Sequence, residues 1–330
     1  MPQPSYEYAM GRISVLTKKM LNEAQLRRIA EAVDETEAQT ILLETGYGGS
    51  VNGGKTIKID IDNFIREELQ AAYKIVWELT PEPELTSLFF LKDDIHNLKT
   101  LIKSRLLGIE PPNILVSGCF FPIEFLRECV NNKNYENLPS VFKDTLNSIE
   151  LELEQKAEPL LFSAQLDFAM FKYISDVLMQ RKEYGFVRKY FSLMVDFQNA
   201  RSVIRARLMR WDKGKLEPLL LPGGEIAHEV FLGAFDTPLE QLGAELNRGT
   251  YGRLIFKATE DYVATGNASV FKRSMEAAQM NILRAVKWDI FTLGPIIWYL
   301  MGRQAEAKAL RLIFSSKENR IEVELPELYA

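Results

Sequence analysis

Two short stretches hold residues whose types and spacing could do chemistry. The first, "GGSVNGGKT" over residues 48–56, puts Gly49, Gly54, Lys55 and Thr56 at the spacing of a phosphate-cradling loop. In such a loop, backbone N–H groups wrap the phosphates, the lysine reaches the outer ones and the hydroxyl holds Mg²⁺. The pattern requires a buried strand before it and a helix opening at the lysine, because the helix N-terminus supplies donors and a favourable dipole. After Lys55 the chain reads "TIKIDIDNF", with Ile57, Ile59 and Ile61 alternating with polar residues. A period of two marks an extended segment where the motif needs a helix. A flexible glycine connector is therefore the preferred reading, and nucleotide binding through Gly49 to Thr56 the alternative.

The second stretch, "FLKDDIHNLKTLIK", carries Asp93-Asp94-x-x-Asn97 on a helical pattern. This resembles the aspartate-rich motif of isoprenoid synthases, whose carboxylates bind Mg²⁺ and a substrate diphosphate. That chemistry needs hard oxygen ligands converging from two facing helices, and no second carboxylate cluster accompanies this one. An Mg²⁺-dependent isoprenoid enzyme using Asp93 and Asp94 stands as a further alternative.

The elements that must position these residues are almost all helical. Apolar residues recur at helical spacing over 62–79, 85–107, 146–178, 181–211, 251–263, 268–291 and 296–315, so the fold class is all-α. Thr237-Pro238-Leu239-Glu240 reads as a capping box with proline at the first helical position. Strand signals are confined to "TIKIDID" and "NRIEVEL". A net charge of −5 argues against a general nucleic-acid binder, which needs a positive surface. The basic run from Arg201 to Lys215 recurs at helical spacing and fits a solvated or partner-facing edge. Two cysteines and two histidines provide too few ligands for the usual zinc sites. Nothing arranges His96 or His228 with a nucleophile and a carboxylate. No catalytic, cofactor or metal residue emerges, and no apolar run reaches the length of a membrane span.

Comparison of the chain with itself changes the meaning of the aspartates. "DIHNLKTLIKSR" from Asp94 aligns with "DFQNARSVIRAR" from Asp196 and, more faintly, with "RQAEAKALRLIF" from Arg303. Other landmarks keep the same order: "AVD" ending at Asp34, "CVN" at Asn131 and "AFD" at Asp236, each followed by a short helix expected to end at Thr45, Thr145 and Thr250. Aromatic residues Phe89, Phe191 and Trp298 precede the three polar helices and fit one core anchor per copy. The expectation is a threefold repeat with helical domains over 1–115, 116–222 and 223–330. On each polar helix an acidic or basic residue, a second polar residue three positions later and an apolar stripe share one face. Their charge is not kept between copies, as expected of an architectural element.

At this point the whole chain resembles a known family. "YEYAMGRISVL", "LKDDIHNLKTLIKSRL", "VDFQNARSVIRARL", "LPGGEI" and "IIWYLMGRQAEAKALRLIFSSKENRI" together are similar to the C subunit of V-type and A-type (archaeal and bacterial) rotary ATPases, whose eukaryotic counterpart is the d subunit. The resemblance implies three helical-bundle domains about a pseudo-threefold axis, forming a funnel. It implies a non-catalytic central-stalk rotor component: a socket between the central shaft (the coiled-coil D subunit, with the F subunit) and the proteolipid c/K ring. Such a socket transmits torque between ATP hydrolysis or synthesis and H⁺ or Na⁺ transport. It sits peripherally at the cytoplasmic face of the membrane, without a cofactor and without nucleic acid. Candidates for the shaft-facing lining are Asn97, Lys99, Arg105, Asn199, Arg201, Arg205, Arg207 and Lys308. Candidates for the ring-facing end are the apolar turn residues Phe120, Phe121, Leu219, Leu220 and Leu221.

Overall fold

The computed structural model describes residues 4–48, 59–154, 159–181 and 185–319. The phosphate-loop match from Gly49 to Thr56 lies outside them, as does all of "NRIEVEL" after Asn319. Among the described residues every regular element is a helix, so the fold is all-α as the periodicity requires. Of the extended stretch, Ile59 and Asp60 are non-helical, and from Ile61 the chain is already helix. The alternation stops there because Asp60 caps the next helix, its side chain accepting from the Asn63 N–H.

The chain divides into two units, residues 1–86 with 283–330 and residues 87–282. The first contains α1 (Tyr6–Thr17), α2 (Glu23–Glu31), α3 (Glu35–Glu44), α4 (Ile61–Leu79) and α16 (Gly294–Asn319). Here α16 packs along α4 and against α1, α2 and α3. Its apolar stripe, Ala307, Leu310, Ile313 and Phe314, closes a core with Leu26, Ile29, Leu42 and Ile65. Each Leu, Ile or Phe among them contributes roughly 1.5–3 kcal/mol on burial. Polar contacts fix the register: Gln304 donates to the Tyr73 hydroxyl at 2.7 Å, and Lys317 Nζ caps α2 through Ala30 O at 2.9 Å and Ala32 O at 2.5 Å.

The second unit contains α6 (Leu91–Leu107), α7 (Ile123–Asn132), α8 (Ser140–Glu154), α9 (Pro159–Met179) and α10 (Gly185–Leu208). After the single turn α11 (Lys213–Leu216) come α12 (His228–Ala234), α13 (Leu239–Glu245) and α14 (Gly252–Thr265). Its core gathers Phe197, Val203, Leu220, Phe231, Leu242, Ile255 and Phe271. Two further helices straddle the unit boundary, α5 (Pro83–Ser87) and α15 (Ser269–Val286).

Several boundaries differ from the sequence reading. The stretch 146–178 is divided between α8 and α9, and Thr145 lies inside α8 instead of ending a helix. The helix expected over 268–291 stops at Val286, where Asp289 and Thr292 bond the turn that leads into Gly294. Thr237 forms no capping box; α13 begins after Pro238 with no side-chain cap, and the Thr237 carbonyl accepts from Arg207 instead.

Candidate functional site

The polar residues of α6 and α10 are turned inward, onto the chain's own connectors. Asn97 is wholly enclosed; its Nδ2 donates to Val116 O at 2.8 Å and its Oδ1 accepts from Val116 N at 2.9 Å. Asn199 holds Leu221 in the same way, at 3.0 Å to the carbonyl and 2.8 Å from the N–H. An amide suits this place because it offers a donor and an acceptor side by side, as a neighbouring backbone would. One turn earlier, a carboxylate collects N–H groups further along the same connector. Asp94 Oδ1 accepts from Phe121 N at 3.0 Å; Asp196 accepts from Glu225 N at 3.0 Å and Ile226 N at 3.1 Å.

These bonds set a residue-by-residue register between the connectors, Val116 with Leu221 and Phe121 with Ile226. Gly118 then falls opposite Gly223, and both adopt left-handed φ, +81° and +94°. A residue with a Cβ resists that conformation, which accounts for glycine at both places. The turn folds the connector back so that successive N–H groups face the aspartate.

On α16 the same helix face holds a different pair. Glu306 stands in the place of the asparagines, and its Oε1 accepts from Leu21 N at 2.6 Å, just before α2. Arg303 stands in the place of the aspartates, paired with Glu306 and with Glu68 at 3.1 Å. No glycine turn follows Leu21. Instead Asn22 caps α2 directly through a capping box with Gln25, so no extra N–H groups await a carboxylate. An arginine there holds Glu306 and Glu68 together.

Burial shifts these acids. Burial pushes Asp94 up to about 7, against the pull of the Phe121 and Phe120 N–H groups and with Asp93 adding to the rise. Among the described residues Asp94 Oδ2 has no hydrogen-bond partner. Asp196 is likewise raised by burial to about 7, opposed by the Ile226 and Glu225 N–H groups. Glu306 is raised by burial to about 6, offset by Arg303 and the Leu21 N–H. Burial also pushes the Cys119 thiol up, with Asp94 and Asp93 contributing.

The remaining candidates divide by exposure. Arg105 reaches across to α8, donating to both oxygens of Glu150 at 2.7 and 2.8 Å and to Val130 O at 2.6 Å. Tyr135 completes that network with a 2.6 Å bond to Glu150. Sequence reasoning missed Glu150, which lies 45 residues from its arginine and shares no motif with it. Arg207 bonds the Thr237 carbonyl, and Lys99 pairs with Asp167 on α9 at 2.6 Å. Arg201, Arg205 and Lys308 are exposed. In the connectors Phe120, Phe121 and Leu219 are half-buried, whereas Leu220 and Leu221 are buried. Phe120 and Phe121 pack on one another with centroids 4.6 Å apart. The three repeated aromatics are all buried; Phe89 lies 5.1 Å from Phe191, and Lys287 lies 5.1 Å over the Trp298 ring. His96 and His228 bond the carbonyls of Ile114 and Leu221.

No group of three or more His, Cys, Asp or Glu among the described residues could hold a metal ion, and no described helix is long and apolar enough to cross a membrane. What the residues define is an all-helical scaffold in which polar residues of α6, α10 and α16 secure the chain's own connectors. The chain belongs to the family described as ATP synthase (C/AC39) subunit, whose model matches residues 9–328, and so is a component of an A/V-type rotary ATPase. It is 25% identical to the A-type ATP synthase C subunit of Methanothermobacter thermautotrophicus, over 94% of this chain and 84% of that protein. Similar relatives are the A-type ATP synthase C subunit of Methanocaldococcus jannaschii, 21% identical over 97% and 84%, and the V-type sodium ATPase C subunit of Enterococcus hirae, 20% identical over 80% of each.

Proposed function

We propose that this chain is a non-catalytic central-stalk component, a socket that joins the shaft to the proteolipid ring and carries torque between them. The observation that carries the reading is the family match along residues 9–328. The clamps support it physically. A torque-bearing part must resist shear, and connectors bonded at both backbone groups to buried side chains add stiffness that a solvated loop lacks. In this reading the three repeats, 1–115, 116–222 and 223–330, form a funnel at the cytoplasmic face of the membrane. Arg201, Arg205 and Lys308 grip the shaft, helped by Lys99; Asn97, Asn199, Arg105 and Arg207 hold the lining helices in place. The half-buried Phe120, Phe121 and Leu219 face the ring, backed by Leu220 and Leu221.

The test is a mild-detergent pull-down of the tagged protein from its host membranes, with co-purifying chains identified by mass spectrometry. Recovery of proteolipid, a coiled-coil shaft protein and the catalytic head is expected. Recovery of this chain alone would reject the socket.

A further inference from the structure

The clamps occupy one face of α6 and of α10, and the opposite face carries a second pattern. On α10, Arg201, Arg205 and Leu208 follow one another at i, i+4 and i+7 and form a straight stripe about 10 Å long. All three are exposed, Leu208 to 68%. The clamp register carries the stripe onto α6, where Lys99, Lys103 and Leu106 take the same places. Lys99 is held by Asp167, whereas Lys103 has no partner among the described residues and Leu106 is exposed. On α16 the corresponding residues are Lys308, Leu312 and Ser315, so the second basic residue and the closing leucine are missing there. A single exposed leucine is ordinary on a surface. The same leucine closing the same basic stripe on two helices is a pattern.

The charge along α10 is one-sided. From Gly185 to Arg210 the chain carries six basic residues and one acid, Asp196, which is turned inward onto its connector. Counting the next two acids, Asp212 and Glu217, still leaves this part of a chain of net charge −5 positive. Arg210 points the same way. It ends α10 in the left-handed region, φ +55°, at the place where α6 ends on Gly108, φ +64°. A side chain resists that backbone, yet an arginine stands here, exposed and with no side-chain partner among the described residues. A basic stripe closed by leucine complements an acidic stripe closed by an apolar residue, and anchors at i, i+4 and i+7 suit a helix laid alongside. About three turns before Arg201 on the same face, Tyr190 is buried against Phe89 at 5.2 Å. The face is closed at its start and open toward Leu208. A rod can lie along such a flank, whereas a flat bilayer reaches only the helix end.

We propose that these two stripes receive acidic helical surface of the shaft protein, with carboxylates against Lys103, Arg201 and Arg205 and apolar side chains against Leu106 and Leu208. The proposal rests on the socket reading and adds the chemistry of the partner's surface. It also makes the grip unequal, since α16 lacks the complete stripe.

The experiment treats the complex, purified in mild detergent through the tagged full chain, with a water-soluble carbodiimide, which joins an amine to a carboxylate in contact with it. Arg205→Lys supplies an amine on α10 to match Lys103 on α6. Expected are links from positions 103 and 205 to aspartates or glutamates of the shaft protein. In parallel, Leu106→Ser combined with Leu208→Ser should retain about tenfold less shaft protein, the scale of a binding hot spot, with an unchanged thermal midpoint in the isolated chain. Arg210→Gly should also retain less, with a midpoint at least as high, because glycine suits the left-handed backbone. If the complex co-purifies but no link from 103 or 205 reaches the shaft protein, or if the folded leucine variant retains it in full, the stripe proposal is overturned and the socket reading survives. Binding of the isolated chain to phosphatidylglycerol vesicles that these substitutions abolish, without loss of the shaft protein, assigns the face to a membrane and overturns the proposal as well. If nothing co-purifies with the unmodified chain, both readings are overturned.

Discussion

Asp94 is a carboxylate nearly sealed from water, with one oxygen bonded to a backbone N–H and the other without a partner among the described residues. Its folded-state pKa, about 7, lies above the ordinary carboxylate value near 4. A raised folded pKa means that the native state binds the extra proton, so the stabilisation is complete below about pH 4 and lost as pH rises to about 7. Asp94→Asn keeps an acceptor for Phe121 and removes the titration. Urea unfolding between pH 4 and 8 is expected to show a shallower decline in the variant; an identical profile would mean that Asp94 is ionised throughout. Arg105 makes the opposite kind of contribution. Arg105→Ala leaves Glu150 in its buried site with Tyr135 and the Lys133 ammonium at 3.6 Å, so the loss should fall below the about 3–5 kcal/mol expected when a buried charge loses its sole partner. Denaturant titration measures this, and Arg105→Lys, which cannot grip both carboxylate oxygens, should recover only part of it.

Between α10 and its connector the bonds act together. Asn199→Ala leaves the N–H of Leu221 unpaired in a buried place, while its carbonyl keeps His228 at 2.9 Å, at a cost of about 1–3 kcal/mol. Hydrogen exchange should show the Leu221 amide losing protection first; retained protection would mean another group takes over. Gly224→Ala pushes Asp196 away from Glu225 and Ile226 and should cost about 1–3 kcal/mol in the same assay. These helices were legible from the sequence because three copies displayed the same polar pair beside an apolar stripe. Their use was not legible. Asn97 and Asn199 read as lining candidates because polar residues on a helix are usually solvated, while the structure encloses both completely. Burial of a polar group becomes acceptable once its partners are supplied, and the partners here lie 19 and 22 residues downstream. The same distance effect hid the Arg207 bond to the Thr237 carbonyl, 30 residues away. Helix existence follows from local periodicity, whereas buried polar roles follow from tertiary partners.

At the scale of the whole molecule, the family places the chain within an ATPase complex, and the exposed basic residues of α10 are the natural test of how it grips. Arg201→Glu with Arg205→Glu removes no buried contact, so the isolated chain should keep its stability within about 0.5 kcal/mol. In the socket reading, retention of the shaft protein should fall about tenfold, and the loss should shrink as salt is raised. Unchanged retention at low salt would move the shaft contact off this helix. The two outcomes separate a partner-facing edge from a merely solvated one, a choice that the composition of the basic run leaves open.

The pairing of α16 with α4 also orders events on the ribosome. Gln304 and Tyr73 are 231 positions apart. At about 5–20 residues per second, the apolar face of α4 is made roughly ten to forty-five seconds before the helix that covers it. Throughout that interval residues 87–282 emerge and can gather their own core, while the opening helices remain without their main partner. The nascent chain thus carries an uncovered amphipathic helix across that whole span, a natural substrate for a holding chaperone. The last of the described helices to appear is the one that closes the first unit.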